Sequence, residues 1–197
     1  MKNSHKVIFL DKDGTLIPDI PYNVNPALIT LMPGAGDALK MLQAAGYHII
    51  IVSNQSGVAL GYFGQADLTL VSQRIWELLA EQDIYPLAIY YCPHAAEGKI
   101  LPYARTCQCR KPLPGLLLKA ADDFGISLPD SWMIGDILND VEAGHRAACR
   151  TILLNNGNET EWKMNKWRKP DFMVNDLREA AATILDKQLA HVTPSLL

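Results

Sequence analysis

The stretch Lys6–Thr15 places the tightest constraint on how this chain folds. Its four consecutive apolar residues, Val7–Leu10, are followed at once by Asp11, Lys12, Asp13, Gly14 and Thr15. A short apolar run of this kind is typical of a strand that is buried on both faces of a parallel sheet. Because open α/β sheets bind their ligands at the carboxyl ends of the strands, we expect Asp11 and Asp13 to lie in a functional site.

Two carboxylates this close together repel each other, so both stay ionised easily only beside a cation, or one of them holds a proton. This asymmetry suits one carboxylate as a nucleophile and the other as a proton carrier. An ordinary turn is an alternative, because Asp and Gly often follow strands without a further role. An EF-hand calcium loop counted from Asp11 is excluded, because its sixth and twelfth positions are Leu16 and Tyr22 in place of Gly and Glu.

Apolar runs that predict strands alternate along the chain with segments of helical spacing. Further strands are expected at 47–52, 87–91, 132–136, 151–154 and 171–174, and helices at 33–45, 66–82, 112–124, 139–147 and 176–188. This alternation predicts one α/β domain over residues 1–197, built on a Rossmann-like, doubly wound parallel sheet. We expect an irregular loop at 16–26 over the mouth of the site, no regular structure at 155–170, and a frayed tail from His191.

Polar side chains gather at the ends of three of the predicted strands. They are Asp11 with Asp13, Ser53 with Asn54, and Asp136 with Asp140. Phosphoryl transfer accounts for all three groups together, because it uses an acceptor carboxylate, hydroxyl and amide groups around phosphate oxygens, and a carboxylate pair that needs Mg²⁺. The rest of the chain thus favours a functional site over an ordinary turn at Asp11.

Three of the four cysteines lie close together in the sequence. The cluster is Cys92-Pro93-His94 followed, after twelve intervening residues, by Cys107-Gln108-Cys109. Paired soft ligands separated by a loop are typical of a closed, structural Zn²⁺ site, and chance clustering is the alternative. Such a zinc would shape the loop 92–109 and fix Arg110 and Lys111, which follow it directly.

Composition limits the partners that this chain can have. A net charge of −3 over 197 residues favours neither nucleic acid nor an acidic membrane surface as a partner. The first apolar run ends at Asp11, too short for a secretion signal, and no run approaches the roughly 18 residues of a membrane span. We expect a cytoplasmic protein, and a monomer, because no apolar stripe is evident beyond the core.

The order and spacing of these motifs resemble those of the haloacid dehalogenase superfamily of phosphatases. Its four motifs are matched by Asp11–Thr15, by Ser53, by Lys111, and by Gly135-Asp136 with Asp140. The resemblance implies that Asp11 is the nucleophile and becomes an aspartyl-phosphate, and that Asp13 is the general acid and base. It also implies that Mg²⁺ is held by the Asp11 carboxylate, the Asp13 backbone carbonyl and Asp136, while Ser53 and Lys111 bind phosphate.

Within the superfamily, the zinc loop looks like that of the D-glycero-D-manno-heptose 1,7-bisphosphate 7-phosphatases. The matching segments are Tyr91–His94 and Cys107–Pro112. This resemblance implies a chain without a large cap domain that removes the 7-phosphate of a sugar bisphosphate, in nucleotide-activated heptose synthesis. It implies that Asn54 and Arg110 contact the substrate, with Arg110 suited to a second phosphate.

Two alternatives remain open at the level of sequence. Histidinol-phosphate phosphatases carry a similar loop, and a catalytically inactive, zinc-containing binding protein would use the same fold. Two positions depart from the pattern of the relatives. Lys12 stands where many have Arg, which matters little if the side chain points outward. Ile137 stands where they usually have Lys or Arg, so a cationic contact to phosphate or to the acidic pair is missing.

Overall fold

The computed structural model describes residues 5–192. Its strands are β1 Val7–Leu10, β2 His48–Asn54, β3 Ala88–Cys92, β4 Trp132–Gly135, β5 Arg150–Leu154 and β6 Phe172–Val174. Its helices are α1 Ala35–Ala44, α2 Gly57–Leu60, α3 Gln65–Ala80, α4 Gly115–Phe124, α5 Leu138–Arg146 and α6 Leu177–Val192, with short 3₁₀ turns at Pro26–Leu28 and Leu128–Asp130. None of the helices in this described range is long and apolar enough to cross a bilayer.

The strands form one parallel sheet in the order β3-β2-β1-β4-β5-β6. The predicted Rossmann-like sheet is therefore confirmed. The chain winds from β1 outward to β3, then returns to the other side of β1 and continues outward to β6. A crevice opens where the direction of winding changes, beyond the carboxyl ends of β1 and β4, and it is there that such sheets place their ligands.

Strand β1 is central because all four of its side chains find apolar partners. Each is fully buried, at 0% exposure. Ile8 and Leu10 pack on the face covered by α1, α3 and α6, whereas Val7 and Phe9 pack on the face covered by α4. Burial of an apolar side chain of this size contributes roughly 1.5–3 kcal/mol, so the run fixes the position of Asp11 at its end.

Several boundaries differ from those predicted. Strand β2 continues through Ser53 and Asn54, because β3 runs alongside it as far as Cys92 and the backbone pairing does not depend on side-chain polarity. Helix α2 was not predicted. Helix α6 extends to Val192, so the predicted fraying at His191 does not apply to the helix backbone there, and residues 193–197 lie outside the described range.

Ser131 completes the hydrogen bonding of β1 at its amino end. The pairing of β1 with β4 begins only at Ile8 and Trp132. The Val7 N–H instead donates to Ser131 Oγ at 2.9 Å, and that hydroxyl donates to Ser127 O at 2.7 Å. Because Ser131 is fully buried, no solvent replaces this acceptor if it is removed.

We expect the substitution Ser131→Ala to lower the free energy of unfolding by about 1–3 kcal/mol, because it leaves the buried Val7 N–H without a partner. Urea denaturation measures this loss. The matched control is Ser127→Ala, whose hydroxyl bonds to Asp130 at an exposed position and whose loss is expected to cost less than about 0.5 kcal/mol. Equal stability of Ser131→Ala and wild type would contradict the assignment.

Candidate active site

The carboxyl ends of β1, β2 and β4 enclose a cavity of about 170 Å³. Asp11 follows β1 and its N–H still pairs with Ile134 O of β4 at 2.9 Å, so the sheet itself sets its position. Asp136 follows β4, and Ser53 is part of β2. The cavity is lined by Asp11, Asp13, Asp19, Ser53, Asn54, Lys111, Asp136, Ile137 and Asn158. The structure thus brings together the polar groups that the sequence placed at three separate strand ends.

Lys111 is the buried cation of this cavity. Its ammonium group contacts the Asp11 carboxylate, lies 2.6 Å from Asp140 Oδ1, and donates to Val52 O at 3.1 Å. The Asn54 side chain holds the Lys111 backbone on both sides, with Lys111 N–H donating to Asn54 Oδ1 at 3.0 Å and Asn54 Nδ2 donating to Lys111 O at 2.9 Å. Asn54 therefore positions Lys111 in this structure.

The charges in the cavity do not balance without a further cation. Asp11, Asp136 and Asp140 have oxygens within 4.8 Å of one another, and the ammonium group of Lys111 contacts Asp11 and Asp140. Burial raises the pKa of Asp11 well above its usual range, despite Lys111. Burial and the neighbouring Asp140 raise the pKa of Asp136 to about 7. One divalent cation would offset the two excess negative charges, and oxygen donors are the ligands that Mg²⁺ prefers.

Two glycines make room for these carboxylates. A Cβ atom on Gly14, whose φ is +76°, would lie 2.0 Å from Asp136 Oδ2. A Cβ atom on Gly135 would lie 2.2 Å from Asp140 Oδ2. Since the nearest atoms in both cases belong to the acidic groups of the site, any larger residue would displace them. The two glycines of the sequence motifs are therefore needed by the site geometry.

Asp13 is held at both carboxylate oxygens. Lys12 Nζ contacts Asp13 Oδ1 at 2.6 Å, and Gln55 Nε2 donates to Asp13 Oδ2 at 2.9 Å and to Ser53 Oγ at 2.9 Å. Lys12 is only 1% exposed, so its side chain does not point outward. The presence of Lys in place of Arg was expected to matter little only if this side chain pointed outward, and it does not. Neither Lys12 nor Gln55 was predicted to take part in the site.

The loop after β5 also reaches the cavity, and sequence analysis assigned no role to it. Asn158 Nδ2 donates to Asp136 Oδ2 at 2.7 Å, and Asn156 Nδ2 donates to Gly14 O at 2.7 Å. Glu159 accepts the N–H of Leu138, the first residue of α5, at 2.7 Å. The loop is irregular, as predicted. Because the loop has no periodic pattern of apolar residues, the sequence does not predict where its side chains lie.

The predicted zinc ligands lie together at the surface end of β3. Contacts of 3.2 to 3.7 Å join Cys92 Sγ, His94 Nδ1, Cys107 Sγ and Cys109 Sγ. Sulfurs at this separation are not disulfide-bonded, and two thiolates about 2.3 Å from a tetrahedral Zn²⁺ would be about 3.8 Å apart. Burial raises the pKa of the Cys92 thiol well above its usual range, so its thiolate needs a cation beside it. The donor set therefore fits zinc.

Two arginines surround His94. Arg105 lies 3.0 Å from His94 Nε2, and Arg110 donates to His94 O at 3.3 Å. Burial and the charge of Arg105 lower the pKa of His94, which favours the neutral imidazole that ligates metal. Both arginines line a separate cavity of about 410 Å³, and Lys111 forms part of its wall as well as that of the cavity at the strand ends. Arg110 is therefore close to the strand-end cavity but does not line it.

A third cavity, of about 310 Å³, adjoins the cavity at the strand ends through Asp13, Asp19 and Asn54. The predicted loop at 16–26 supplies one side of it, including Tyr22, and the other side comes from Gln55, Ser56 and Gly57. The Tyr22 ring packs edge-on against Tyr62, with centroids 4.7 Å apart. This polar cavity beside Asp13 has the lining that a hydroxyl-rich ligand needs.

Comparison with known proteins points to one family. Residues 108–180 match the HAD-hydrolase-like family model. The D-glycero-beta-D-manno-heptose-1,7-bisphosphate 7-phosphatase of Salmonella typhi is 36% identical over 174 residues, which make up 84% of this chain and 93% of that protein. The protein of the same name from Pasteurella multocida (strain Pm70) is 40% identical over 153 residues, or 77% of this chain and 83% of that protein.

A solved structure shares the whole fold. The D,D-heptose 1,7-bisphosphate phosphatase from B. bronchiseptica, complexed with magnesium and phosphate, has a TM-score of 0.76 and 28% sequence identity, and the match covers 92% of this chain and 99% of that one. The sequence identities extend over most of both proteins, and the sheet and its site agree with them. The chain therefore belongs to the haloacid dehalogenase superfamily and, within it, is a phosphatase related to the heptose 1,7-bisphosphate 7-phosphatases.

Proposed function

We propose that this phosphatase removes the 7-phosphate of D-glycero-D-manno-heptose 1,7-bisphosphate in a Mg²⁺-dependent reaction. The observation that carries the proposal is the buried Asp11 carboxylate, which contacts Lys111 and lies beside Asp136 in the catalytic cavity. The names of the relatives supply the substrate. The related structure that contains magnesium and phosphate supports the metal.

Asp11 is the proposed nucleophile. Its carboxylate oxygen attacks phosphorus, the bond from phosphorus to the sugar oxygen breaks, and an aspartyl-phosphate forms. Asp13 gives its proton to the departing sugar oxygen. Asp13 then takes a proton from water, whose oxygen attacks the same phosphorus and releases inorganic phosphate and the Asp11 carboxylate. Gln55 and Lys12 keep the Asp13 carboxylate aimed at both proton transfers.

Charge is the main obstacle to this attack, because a carboxylate and a phosphate dianion repel each other strongly at low dielectric. Lys111 offsets part of this repulsion from its buried position against Asp11. Asp11, the Asp13 backbone carbonyl and Asp136 would hold Mg²⁺, which when bound neutralises further negative charge on the phosphoryl oxygens. Ser53 offers a hydroxyl in the same cavity.

A cavity lined by two arginines favours the heptose bisphosphate over histidinol phosphate as the substrate. Arg105 and Arg110 line the cavity of about 410 Å³ that shares Lys111 with the catalytic cavity. A guanidinium group binds a phosphate in a bidentate manner. Histidinol phosphate has a single phosphate and a positively charged amine, which two arginines would repel. We therefore assign this cavity to the 1-phosphate.

The proposed product indicates which kind of reaction uses it next. A sugar that keeps only its anomeric 1-phosphate is the form that a nucleotidyl transferase attaches to a nucleotide. We propose that this protein feeds the synthesis of nucleotide-activated heptose and acts in the cytoplasm as a monomer. The small, polar cavities suit a soluble sugar phosphate as the partner.

We expect Asp11→Asn to reduce phosphate release by at least about 1,000-fold, because the amide is not a nucleophile for phosphorus. The assay compares the α and β anomers of the heptose bisphosphate with histidinol phosphate, with Mg²⁺ and with EDTA. The control is Asp37→Asn, a surface residue 65% exposed and paired with Arg178. If the wild type releases phosphate only from histidinol phosphate, the protein is a histidinol-phosphate phosphatase. If the wild type releases phosphate from none of the substrates, the result favours an inactive binding protein.

We expect Arg110→Ala to raise the KM for the 1,7-bisphosphate by about 10- to 100-fold, because one charge-assisted phosphate contact is lost. The KM for the heptose 7-phosphate, which lacks the second phosphate, is expected to change by less than about threefold. Steady-state phosphate release from the two substrates measures the difference. Equal effects on both would show that Arg110 does not bind the 1-phosphate.

We expect Cys107→Ser to lower the zinc content and to raise KM before it lowers kcat, because the zinc fixes the loop that carries Arg110 and Lys111. Metal analysis and steady-state kinetics measure the two effects. The control is Cys149→Ala, because the buried Cys149 thiol lies outside the cluster and should leave the zinc content unchanged. A zinc-depleted Cys107→Ser protein with wild-type KM would contradict the expectation.

A further inference from the structure

We propose that Asn158 is a positioning residue that orients the Asp136 carboxylate for its metal ion; the proposal rests on the magnesium site proposed above. Asn158 Nδ2 donates to Asp136 Oδ2 at 2.7 Å. The other oxygen of Asp136 has a much longer contact, 3.4 Å to Thr15 Oγ1. Apart from the backbone N–H of Asp136 itself, the Asn158 amide thus supplies the shortest hydrogen bond that orients this buried carboxylate.

Asn158 is held in place by the residues beside it. We call residues 156–159 the site strap. Asn156 Nδ2 donates to Gly14 O at 2.7 Å, and Asn156 Oδ1 accepts the Asn158 N–H at 3.3 Å. On the other side, Glu159 accepts the Leu138 N–H at 2.7 Å. The strap is therefore bonded to the loop after β1 and to the start of α5, and Asn158 lies between these two anchors.

The strap lies so close to Gly14 that this residue has no room for a side chain. A Cβ atom on Gly14 would lie 2.4 Å from Asn158 Nδ2 and 2.0 Å from Asp136 Oδ2. The amide and the carboxylate thus meet directly over the Gly14 Cα atom. Asn158 thus holds the Oδ2 atom of the carboxylate, whereas Thr15 contacts Oδ1.

An amide is suited to this task because it orients a carboxylate without neutralising it. Asp11, Asp136 and Asp140 need their excess negative charge to attract a divalent cation, and Lys111 already offsets part of it. A second ammonium group against Asp136 would compete with the metal ion for the same charge. The side chain of Ile137, which lines the cavity next to Asp136, carries neither a charge nor a hydrogen-bond donor, and its backbone N–H donates to Asp140 Oδ2 at 3.3 Å. Asn158 supplies a hydrogen bond without adding a charge.

The test measures metal binding by the zinc-loaded, full-length protein. The probe is Mn²⁺, whose free concentration is read from its electron paramagnetic resonance signal. We expect Asn158→Leu, which keeps the size of the side chain and removes the donor, to weaken Mn²⁺ binding by about five- to tenfold. Asn158→Ala is expected to do the same. The matched control, Asn155→Leu, changes an exposed residue of the same loop and should bind Mn²⁺ as wild type does.

A second readout separates positioning from a general structural role. We expect Asn158→Leu to need more Mg²⁺ for half-maximal phosphate release, with kcat at saturating Mg²⁺ within about twofold of wild type. Unchanged Mn²⁺ affinity in both Asn158 variants, beside a wild type that binds, would overturn this inference and leave the proposed function intact. A kcat that stays low at saturating Mg²⁺ would also overturn it. Failure of the wild type to bind Mn²⁺ would overturn the proposed metal site and this inference with it.

Discussion

The ion pair of Lys111 with Asp11 and Asp140 is the interaction on which the rest of the site depends. All three residues are buried, and a buried charge without a partner is strongly destabilising. The pair therefore exists only if β1, α5 and the loop before α4 are all in place. Two sets of contacts hold these elements in place. The sheet fixes Asp11, while Asn54 and the cysteine cluster fix the loop that carries Lys111.

The two donor sets of the molecule differ in chemistry and in task. Sulfur and imidazole donors form a closed cluster at the loop 92–109, and carboxylate oxygens form an open one in the cavity. Zinc in the closed set would leave no position for water and would stabilise a conformation, whereas a cation in the open oxygen set would leave room for a phosphoryl group. The segment from Cys109 to Lys111 joins the two sets.

The sequence predicted the parts of this protein whose signal is local. The strands follow from short apolar runs, and the clustering of Cys92, His94, Cys107 and Cys109 follows from their spacing. The positions of Asp11, Ser53 and Asp136 follow from the rule that parallel strands end at one edge. The contacts that sequence analysis missed join distant or irregular segments. Asn158 and Glu159, for example, lie in a loop without periodicity. The burial of Lys12 was not predicted, because it depends on tertiary packing around its contact with Asp13, which the pattern of the chain does not reveal.

The strand order also has a consequence for the synthesis of the chain. Strand β1 leaves the ribosome first, but one of its two neighbours is β4, and the Val7 N–H bonds to Ser131, 124 residues later. The apolar run Val7–Leu10 therefore has an unpaired edge until β4 has been made. Such an edge can pair with other chains. The residue that ends the run, Asp11, is charged, and so is Lys6 before it, so this unpaired segment of the nascent chain is flanked by charged groups, which disfavour aggregation.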